Sequence, residues 1–373
     1  MTLINAIGRS IPSFGFSGAG FLTCYHFGVA QCLLNHGLLL SRGSLPNDDT
    51  TPVLTGVSGG ALVATAVAIG VSPEDGMKAT LEIAARTRQV GGLLDHLKPG
   101  FSLIDQVEEV VFKITRDVDE ELALRRIDFG RLLHIGLTDR RAFPRFRQNP
   151  DAYVYVNAYQ SIEEIVSACI LSSYVPGLTG PISDITFGTN GAVRRANKVL
   201  LRMMEKGSIK NSRGIPLQSS LQRIKNEPKT FQAPIYDSHQ LQNNIVFWDG
   251  GLANLFPRIN GDTCIITPFT GSFTNPTISP SPTTVSHNME LDVAFSRPTI
   301  CLENLRTIRY IAFSSESLTL EGWFEKGYND AKRFLLKEQT NNHFKSTYIG
   351  LMDSSKISTA LSERCPQSMQ SIS

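Results

Sequence analysis

The sequence lacks the patterns that mark several common classes of protein. Its six cysteines form no Cys-x-x-Cys pair and several lie in apolar runs, so we expect buried free thiols in a reducing compartment and not a disulfide framework. Its seven histidines show no zinc-site spacing, so no metal is expected. Neither sign of charge dominates, because 36 basic and 34 acidic residues give a net charge of +2. The balance gives no reason to expect a nucleic-acid partner.

Long apolar runs are absent as well. The longest largely apolar run covers residues 61–71, which is too short to span a bilayer. Residues 1–10 lack the apolar stretch and the small-residue cleavage site of a secretory signal. We therefore expect a cytoplasmic protein whose lipid contact, if it has one, is peripheral, on a lipid droplet or a membrane.

The chain does contain a repeated order of strand, glycine turn and helix. Residues 13–17 and 52–55 each predict a short buried strand, and a glycine turn and a helix follow each of them. Other strands and helices are predicted at 132–137, 245–248, 264–267, 102–115 and 162–171. This order favours one α/β domain in which helices cover both faces of a sheet, and 373 residues that are 41% hydrophobic suffice for one large core.

The second glycine turn fits the pattern Gly-x-Ser-x-Gly. It contains Gly56, Ser58, Gly59 and Gly60, and it lies between the strand at 52–55 and an Ala/Val-rich helix. A serine at such a turn projects its hydroxyl from the sheet, while the glycines let the flanking elements approach closely. A glycine-rich chain also meets this short pattern by chance, so an ordinary turn is the alternative. The strand before it and the helix after it favour Ser58 as a nucleophile.

The first glycine turn consists of Gly18, Ala19 and Gly20, followed by Phe21. A dinucleotide fingerprint is not favoured, because Thr23 holds its third glycine position and no acidic residue stands at the expected distance. An oxyanion hole needs only backbone N–H groups at a helix start and small residues beside them. A tight turn without a ligand remains the alternative.

A carboxylate follows the predicted strand at 245–248. Asp249 stands directly before Gly250 and Gly251, so the strand end can hold it facing a neighbouring strand. Bulky apolar neighbours would raise its pKa toward the value that a general base needs. An Asp-Gly turn with no catalytic role is the alternative.

In this order the three motifs resemble the patatin-like phospholipases, and in particular their adiponutrin and adipose triglyceride lipase branch. The segments that carry the resemblance are 16–22, 25–30, 56–62, 167–177, 266–271 and 327–331. The resemblance implies a three-layer α/β/α fold with a mostly parallel central sheet. It also implies a Ser58–Asp249 dyad, an oxyanion hole from Gly18 to Phe21, and no cofactor.

The same resemblance implies the reaction. We expect hydrolysis of long-chain acyl esters of lipids through an acyl-enzyme, with triacylglycerol as the first substrate. Phospholipase A-type, lysophospholipase and transacylase activities are the alternatives, and so is a non-catalytic protein that binds lipid surfaces. A Ser-His-Asp triad would need His287 or His343 after Asp249, but His287 lies in a Ser-, Thr- and Pro-rich stretch with no strand predicted before it, and no His-Gly-Gly-Gly motif is present.

Composition and the resemblance divide the chain into three parts. The catalytic domain is predicted at 10–271, with a polar insertion at 183–243. A Ser-, Thr- and Pro-rich loop and a helical extension are predicted at 272–336. Residues 337–373 are predicted to form a polar tail that is partly disordered.

Residues 190–206 within the insertion predict an amphipathic helix. Apolar residues recur at intervals of three and four, and basic residues flank them. The basic residues are Arg194, Arg195, Lys198, Arg202 and Lys206. This helix either contacts an anionic lipid surface or packs its apolar stripe on the domain.

Overall fold

A central sheet organises the chain in the computed structural model. The described residues are 13–41, 44–46, 51–89, 101–128, 132–142, 150–180, 191–217, 246–273, 276–281, 289–290 and 296–351. The strands among them are β1 (Ser13–Phe16), β2 (Val53–Gly56), β3 (Leu133–Asp139), β4 (Tyr153–Val156), β5 (Ile209–Asn211), β6 (Phe247–Asp249), β7 (Cys264–Ile266), β8 (Gly271–Phe273), β9 (Thr277–Ile278), β10 (Met289–Glu290) and β11 (Ser296–Ile300).

Helices follow most of these strands. They are α1 (Thr23–Asn35), α2 (Gly59–Ile69), α3 (Pro73–Gln89), α4 (Leu103–Thr115), α5 (Glu120–Asp128), α6 (Ile162–Ser172), α7 (Gly191–Glu205), α8 (Gly250–Ala253), α9 (Leu302–Ala312) and α10 (Ser317–Leu351). Short 3-10 turns cover Gly20–Leu22, Arg140–Ala142 and Pro150–Ala152.

The main sheet is mixed, and its centre is parallel. Its order is β5-β4-β3-β2-β1-β7-β9, and β6 pairs with β3 on the edge opposite β4, since Leu137 pairs with both Val154 and Asp249. The pairs around β1, which include Phe14 with Leu54 and with Cys264, are parallel. Pairing is antiparallel where β3 meets β4 and β6, and where β4 meets β5. The predicted three-layer α/β/α fold with a mostly parallel sheet is confirmed.

The helix after β2 is buried along nearly its whole length, because its sequence is almost entirely glycine, alanine and valine. The helix α2 ends at Gly70, which adopts the left-handed conformation that helix C-termini favour. The buried guanidinium of Arg126 donates to the carbonyl of Ala68 at 2.9 Å and to that of Val67 at 3.3 Å. A cation at this end of the helix is favourable because the last carbonyls carry partial negative charge.

The helices α1 and α10 pack so closely that their backbones are in contact. A Cβ on Gly28 would overlap the carbonyl oxygen of Phe324, and one on Gly327 would overlap that of Tyr25. Beside this contact, the Tyr25 hydroxyl donates to the buried carboxylate of Asp330 at 3.0 Å. The C-terminal helix is therefore part of the core layer and not an appendage.

The predicted amphipathic helix exists as α7, and the domain covers its apolar stripe. Val193, Leu200 and Met203 are fully buried, and α7 packs against α6 and α4. Its flank at Arg194 and Lys198 is exposed. The packing alternative is confirmed, and the prediction that the apolar face of 190–206 contacts lipid is wrong, because that face is already buried in protein.

Several elements differ from the sequence prediction at their boundaries. The strand β9 joins the main sheet, although it lies in a stretch predicted to be a loop. The helix α10 runs through residue 337, where a tail was expected to begin. The strand β5, which is part of the predicted insertion, pairs with β4. The prediction for 352–373 lies outside the described residues.

The described residues contain no helix that is long and apolar enough to cross a membrane. The cysteines among them carry free thiols, as expected. Cys24, Cys32, Cys169 and Cys264 are buried, and Cys301 is half-buried.

Candidate active site

The backbone at Ser58 is strained in the way that a nucleophile elbow requires. Its φ of 54° and ψ of −133° make it the only non-glycine residue with positive φ in the described part of the chain. Such a conformation costs about 1–3 kcal/mol and persists only where the surroundings impose it. Here Gly60 lets α2 touch the backbone of β1, because a Cβ on Gly60 would overlap the carbonyl oxygens of Phe16 and Ser17.

A serine on α6 holds the elbow from the other side. The Ser58 amide donates to the hydroxyl of Ser172 at 2.9 Å, and that hydroxyl donates to the carbonyl oxygen of Gly136 at 2.7 Å. Ser172 is fully buried. It therefore satisfies two backbone groups at once and ties the nucleophile turn to β3.

Asp249 stands at the end of β6, where β6 pairs antiparallel with β3. Its amide donates to the Tyr174 carbonyl at 2.9 Å, and its carbonyl accepts from the Thr138 hydroxyl at 2.6 Å. Its carboxylate accepts from the Gly251 amide at 2.7 Å. These bonds fix both the backbone and the side chain of Asp249.

The glycine beside Asp249 is required by space. A Cβ on Gly250 would overlap the carbonyl oxygen of Gly136, which is the same carbonyl that Ser172 binds. The turn at Asp249 and the turn at Ser58 therefore both depend on contacts with the Gly136 carbonyl of β3.

Burial makes Asp249 a base that is poised near neutrality. Only 4% of the residue is exposed. Burial raises the pKa of its carboxyl from 3.8 to about 7, and hydrogen bonds from the Ser58 side chain and the Gly251 amide oppose that rise. A base with a pKa near the working pH accepts a proton most effectively. The predicted residues Ser58 and Asp249 thus lie at the wall of one site, close enough that the Ser58 side chain acts on the pKa of Asp249.

The first glycine turn lies beside the elbow. A Cβ on Gly18 would be 3.7 Å from Cβ of Ser58, and a Cβ on Gly59 would be 3.1 Å from the amide nitrogen of Gly20. The Gly18 amide donates to the Leu255 carbonyl at 3.3 Å, so its proton is already engaged. Of the predicted oxyanion-hole residues, Gly18 lets the first turn approach Ser58 closely. The candidate amides for an oxyanion hole are those of Ala19, Gly20 and Phe21.

Thr23, which departs from the expected third glycine, stabilises this turn. Its hydroxyl donates to the carbonyl oxygen of Gly20. Thr23 begins α1, so its side chain needs no unusual backbone conformation.

A largely apolar cavity opens beside these groups. Its volume is ≈ 390 Å³, which is within the usual range for small-molecule sites. Ser58, Asp249 and the turn from Gly18 to Phe21 line one part of it. Most of the remaining wall comes from Leu62, Ile83, Leu103, Ile104, Val107, Val175, Leu178, Leu252, Leu255, Phe269, Ile308 and Ile311.

The family profile of patatin-like phospholipase matches residues 16–259, which include Ser58, Asp249 and the turn from Gly18 to Phe21. This chain belongs to the patatin-like phospholipase family. The cavity and the residues at Ser58 and Asp249 are therefore features of a patatin-like domain.

Curated relatives match most of the chain at low identity. Patatin-like phospholipase domain-containing protein 2 of Homo sapiens is 24% identical over 86% of this chain and 47% of its own length. Its Bos taurus counterpart is 24% identical over 86% and 49%. Patatin-like phospholipase domain-containing protein 4 of Homo sapiens is 23% identical over 87% and 96%. The chain thus spans about half the length of the first two relatives, and no solved structure gives a significant match.

Among the described residues, no histidine lines the cavity of this patatin-like domain. The fully buried His26 has Nε2 3.3 Å from the Ile266 carbonyl oxygen, and burial lowers its pKa to about 3. His287 and the side chain of His343, the triad alternatives, lie outside the described residues. The described part of the chain also contains no cluster of three or more His, Cys, Asp and Glu side chains that would hold a metal.

Sequence reasoning missed the groups that support the dyad. Ser172 lies on α6, in the segment 167–177 that carries the family resemblance but was assigned no role, and Gly136 lies on β3. Their other sequence signal is local, since Gly136 interrupts an apolar strand and Ser172 ends an apolar helix. The contact between them appears only when the sheet is assembled.

Proposed function

We propose that this patatin-like domain is a serine acyl hydrolase that cleaves long-chain acyl esters of lipids, with triacylglycerol as its first substrate. The observation that carries the proposal is the meeting of Ser58 and Asp249 at the wall of one cavity. Ser58 occupies a strained elbow, and burial raises the pKa of Asp249 to about 7 at the wall of an apolar cavity.

Acylation uses Asp249 as the base. The Ser58 oxygen attacks the ester carbonyl carbon, and its proton passes to the Asp249 carboxylate. The negative charge that develops on the carbonyl oxygen accepts hydrogen bonds from amides of the turn at 19–21. The tetrahedral intermediate collapses, and the leaving alcohol takes the proton from Asp249. The acyl group remains as an ester on Ser58.

Deacylation repeats these steps with water. Asp249 takes a proton from a water molecule, whose oxygen attacks the acyl carbon. Collapse of the second intermediate breaks the bond to Ser58, which recovers its proton from Asp249. The products are a fatty acid and the free enzyme.

The cavity wall supports a neutral ester over a phospholipid. Asp249 is the only charged side chain among the residues that line the described cavity, and no Lys or Arg is present there to pair with a phosphate. A glyceride presents only ester and hydrocarbon groups to such a wall. The resemblance to the adipose triglyceride lipase branch supports the same order of substrates.

A fluorophosphonate probe and a lipid panel test the proposal. We expect Ser58→Ala to abolish labelling and turnover, while Ser173→Ala, which removes another serine hydroxyl from the same cavity, keeps both. The panel contains tri-, di- and monoacylglycerols and a phosphatidylcholine. Faster turnover of the phospholipid than of every glyceride would contradict the substrate, and turnover that survives in Ser58→Ala would contradict the nucleophile.

A further inference from the structure

The helix α9 is turned with its polar side inward. Asn304 and Thr307 are buried, at 5% and 3% exposure, while Leu302, Leu305 and Ile308 are 61%, 57% and 52% exposed. An amphipathic helix on a globular domain normally buries its apolar stripe instead. Packing among the described residues therefore does not explain the outward leucines.

Hydrogen bonds fix this orientation. The Asn304 side chain donates to the Thr270 carbonyl at 2.8 Å and accepts from the Thr270 amide at 3.0 Å. Turning the leucines inward would expose or orphan these buried partners, which costs about 1–3 kcal/mol for each unsatisfied group. The apolar stripe of α9 is thus held toward the outside.

The stripe leads directly to the cavity. Ile308, Ile311 and Ala312 line the cavity wall, although Ile308 is also half exposed. The backbone of α9 touches the first glycine turn, because a Cβ on Gly20 would overlap the Ile311 carbonyl oxygen. One end of α9 therefore forms part of the cavity mouth, beside the candidate oxyanion hole.

Basic residues share the exposed face. Arg306 and Arg309 are exposed and lie four residues after Leu302 and Leu305, so one helix surface presents both leucine and arginine. Arginine beside apolar side chains suits the boundary of a lipid layer, where the stems lie in hydrocarbon and the guanidinium reaches phosphate. In contrast, α7 exposes its cations but buries its apolar stripe.

We propose that α9 is the surface through which this domain docks on a lipid layer that contains anionic headgroups. The leucines enter the acyl-chain region, and the two arginines bind headgroup phosphates. Lipid fits this face better than a protein partner, because a protein seated on Ile308 would close the mouth through which an acyl chain has to enter. The path from the layer into the cavity rests on the proposed hydrolase function, whereas docking itself does not.

Vesicle flotation of the Ser58→Ala protein tests docking without turnover. The change is Leu305→Glu, and the matched control is Leu336→Glu on α10, since the two leucines are 57% and 55% exposed. We expect Leu305→Glu to lose about tenfold or more in affinity for phosphatidylcholine vesicles that contain phosphatidylserine. Leu336→Glu is expected to float like its parent.

A second arm tests the charged half of the surface. Arg306→Gln with Arg309→Gln should remove most of the gain in binding that phosphatidylserine brings over pure phosphatidylcholine, together with its sensitivity to salt. Arg194→Gln with Lys198→Gln on α7 is the control and should keep that gain. If the phosphatidylserine-dependent gain in binding survives the two α9 substitutions and is lost with the two α7 substitutions, α9 is not the docking surface.

Three outcomes would overturn the docking proposal. In the first, Leu305→Glu floats with vesicles as well as its parent does. In the second, Leu305→Glu and Leu336→Glu lose vesicle affinity equally. The third is conversion of a dimer to a monomer by Leu305→Glu with unchanged flotation, which would assign the face to a second copy. Hydrolysis of a soluble short-chain ester, measured with Ser58 intact, should survive Leu305→Glu. If that ester is not hydrolysed by the parent either, the hydrolase proposal fails while flotation still decides docking.

Discussion

The hydroxyl of Ser172 accepts a hydrogen bond from the Ser58 amide at 2.9 Å and donates one to the carbonyl oxygen of Gly136 at 2.7 Å. A strained turn is thereby fixed by a side chain that takes no part in the proposed chemistry. Because Gly136 also lies against Gly250, the same point of β3 supports both Ser58 and Asp249. Backbone packing therefore controls the distance between the proposed nucleophile and the proposed base.

Removing the Ser172 hydroxyl should damage both stability and rate. Ser172→Ala leaves the Ser58 amide and the Gly136 carbonyl without their partner, which we expect to cost about 1–3 kcal/mol of unfolding free energy. The loosened elbow should lower kcat more than it raises KM, by about tenfold or more. Denaturant unfolding and hydrolysis of a soluble ester measure the two effects.

Ser173→Ala is the control for that change. Its hydroxyl has no hydrogen-bond partner among the described residues, although the residue is 7% exposed and lines the cavity. We expect its unfolding free energy to stay within about 0.5 kcal/mol of the parent. Equal losses of stability in the two variants would contradict the role of Ser172.

Activity should rise with pH through the pKa of Asp249. The base acts only when it is deprotonated, and burial raises its pKa to about 7. For a neutral ester, kcat/KM should fall about tenfold per pH unit below that value and level off above it. A profile that is flat from about pH 5 to 8 would show that Asp249 is not the titrating base.

Stability should respond to pH in the opposite direction. Between pH 3.8 and about 7 the folded chain keeps a proton on Asp249 that the unfolded chain has released. The free energy of unfolding therefore falls as pH rises through this interval, by a few kcal/mol at most. Asp249→Asn removes this ionisation, so its Tm should exceed that of the parent near pH 8 and converge with it near pH 4. A gain in Tm of the same size at both pH values would contradict this explanation.

The two glycines of the first turn should respond differently to a methyl group. In Gly18→Ala the new carbon meets Leu255 Cδ1 at 3.0 Å and Ser58 Cβ at 3.7 Å, and the leucine side chain can move. We expect nearly unchanged stability and a loss of kcat/KM of about tenfold, because the methyl group crowds the nucleophile.

Gly20→Ala should instead disturb the fold. Its φ of +49° disfavours alanine, and the methyl group would overlap the Ile311 carbonyl. We expect a loss of about 1–3 kcal/mol in unfolding free energy. Thermal melts of the two variants give the comparison, and a more stable Gly20→Ala than Gly18→Ala would contradict it.

The sequence was most informative where one short segment determines its own geometry. The glycine spacing around Ser58 predicts an elbow, and the strained φ at Ser58 confirms it. The helix predicted at 102–115 matches α4 over nearly its full length. Such features need few distant contacts, so residues near one another in sequence suffice to predict them.

Features that depend on distant partners were not predictable. Nothing near Asp249 indicates that β6 runs antiparallel to β3, and that pairing sets the environment that raises the pKa of Asp249. The helical extension predicted at 272–336 gives no orientation for α9, which a bond between Asn304 and Thr270 sets with its leucines outward. The alternating Tyr153–Val156 strand carried a usable signal, because its inward residues are fully buried at every second position.

The glycine contact between α1 and α10 limits how far this protein can be truncated from its C-terminal side. Match to the family profile ends at residue 259, but Ala331 and Leu335 are buried against the layer that contains α1. A fragment that ends near 271 would lack α10. It would expose the backbone of α1 at Gly28 and remove the Asp330 carboxylate that accepts a hydrogen bond from the Tyr25 hydroxyl. Fragments made for crystallography or enzymology should therefore extend past residue 335, even though every proposed catalytic group lies before residue 250.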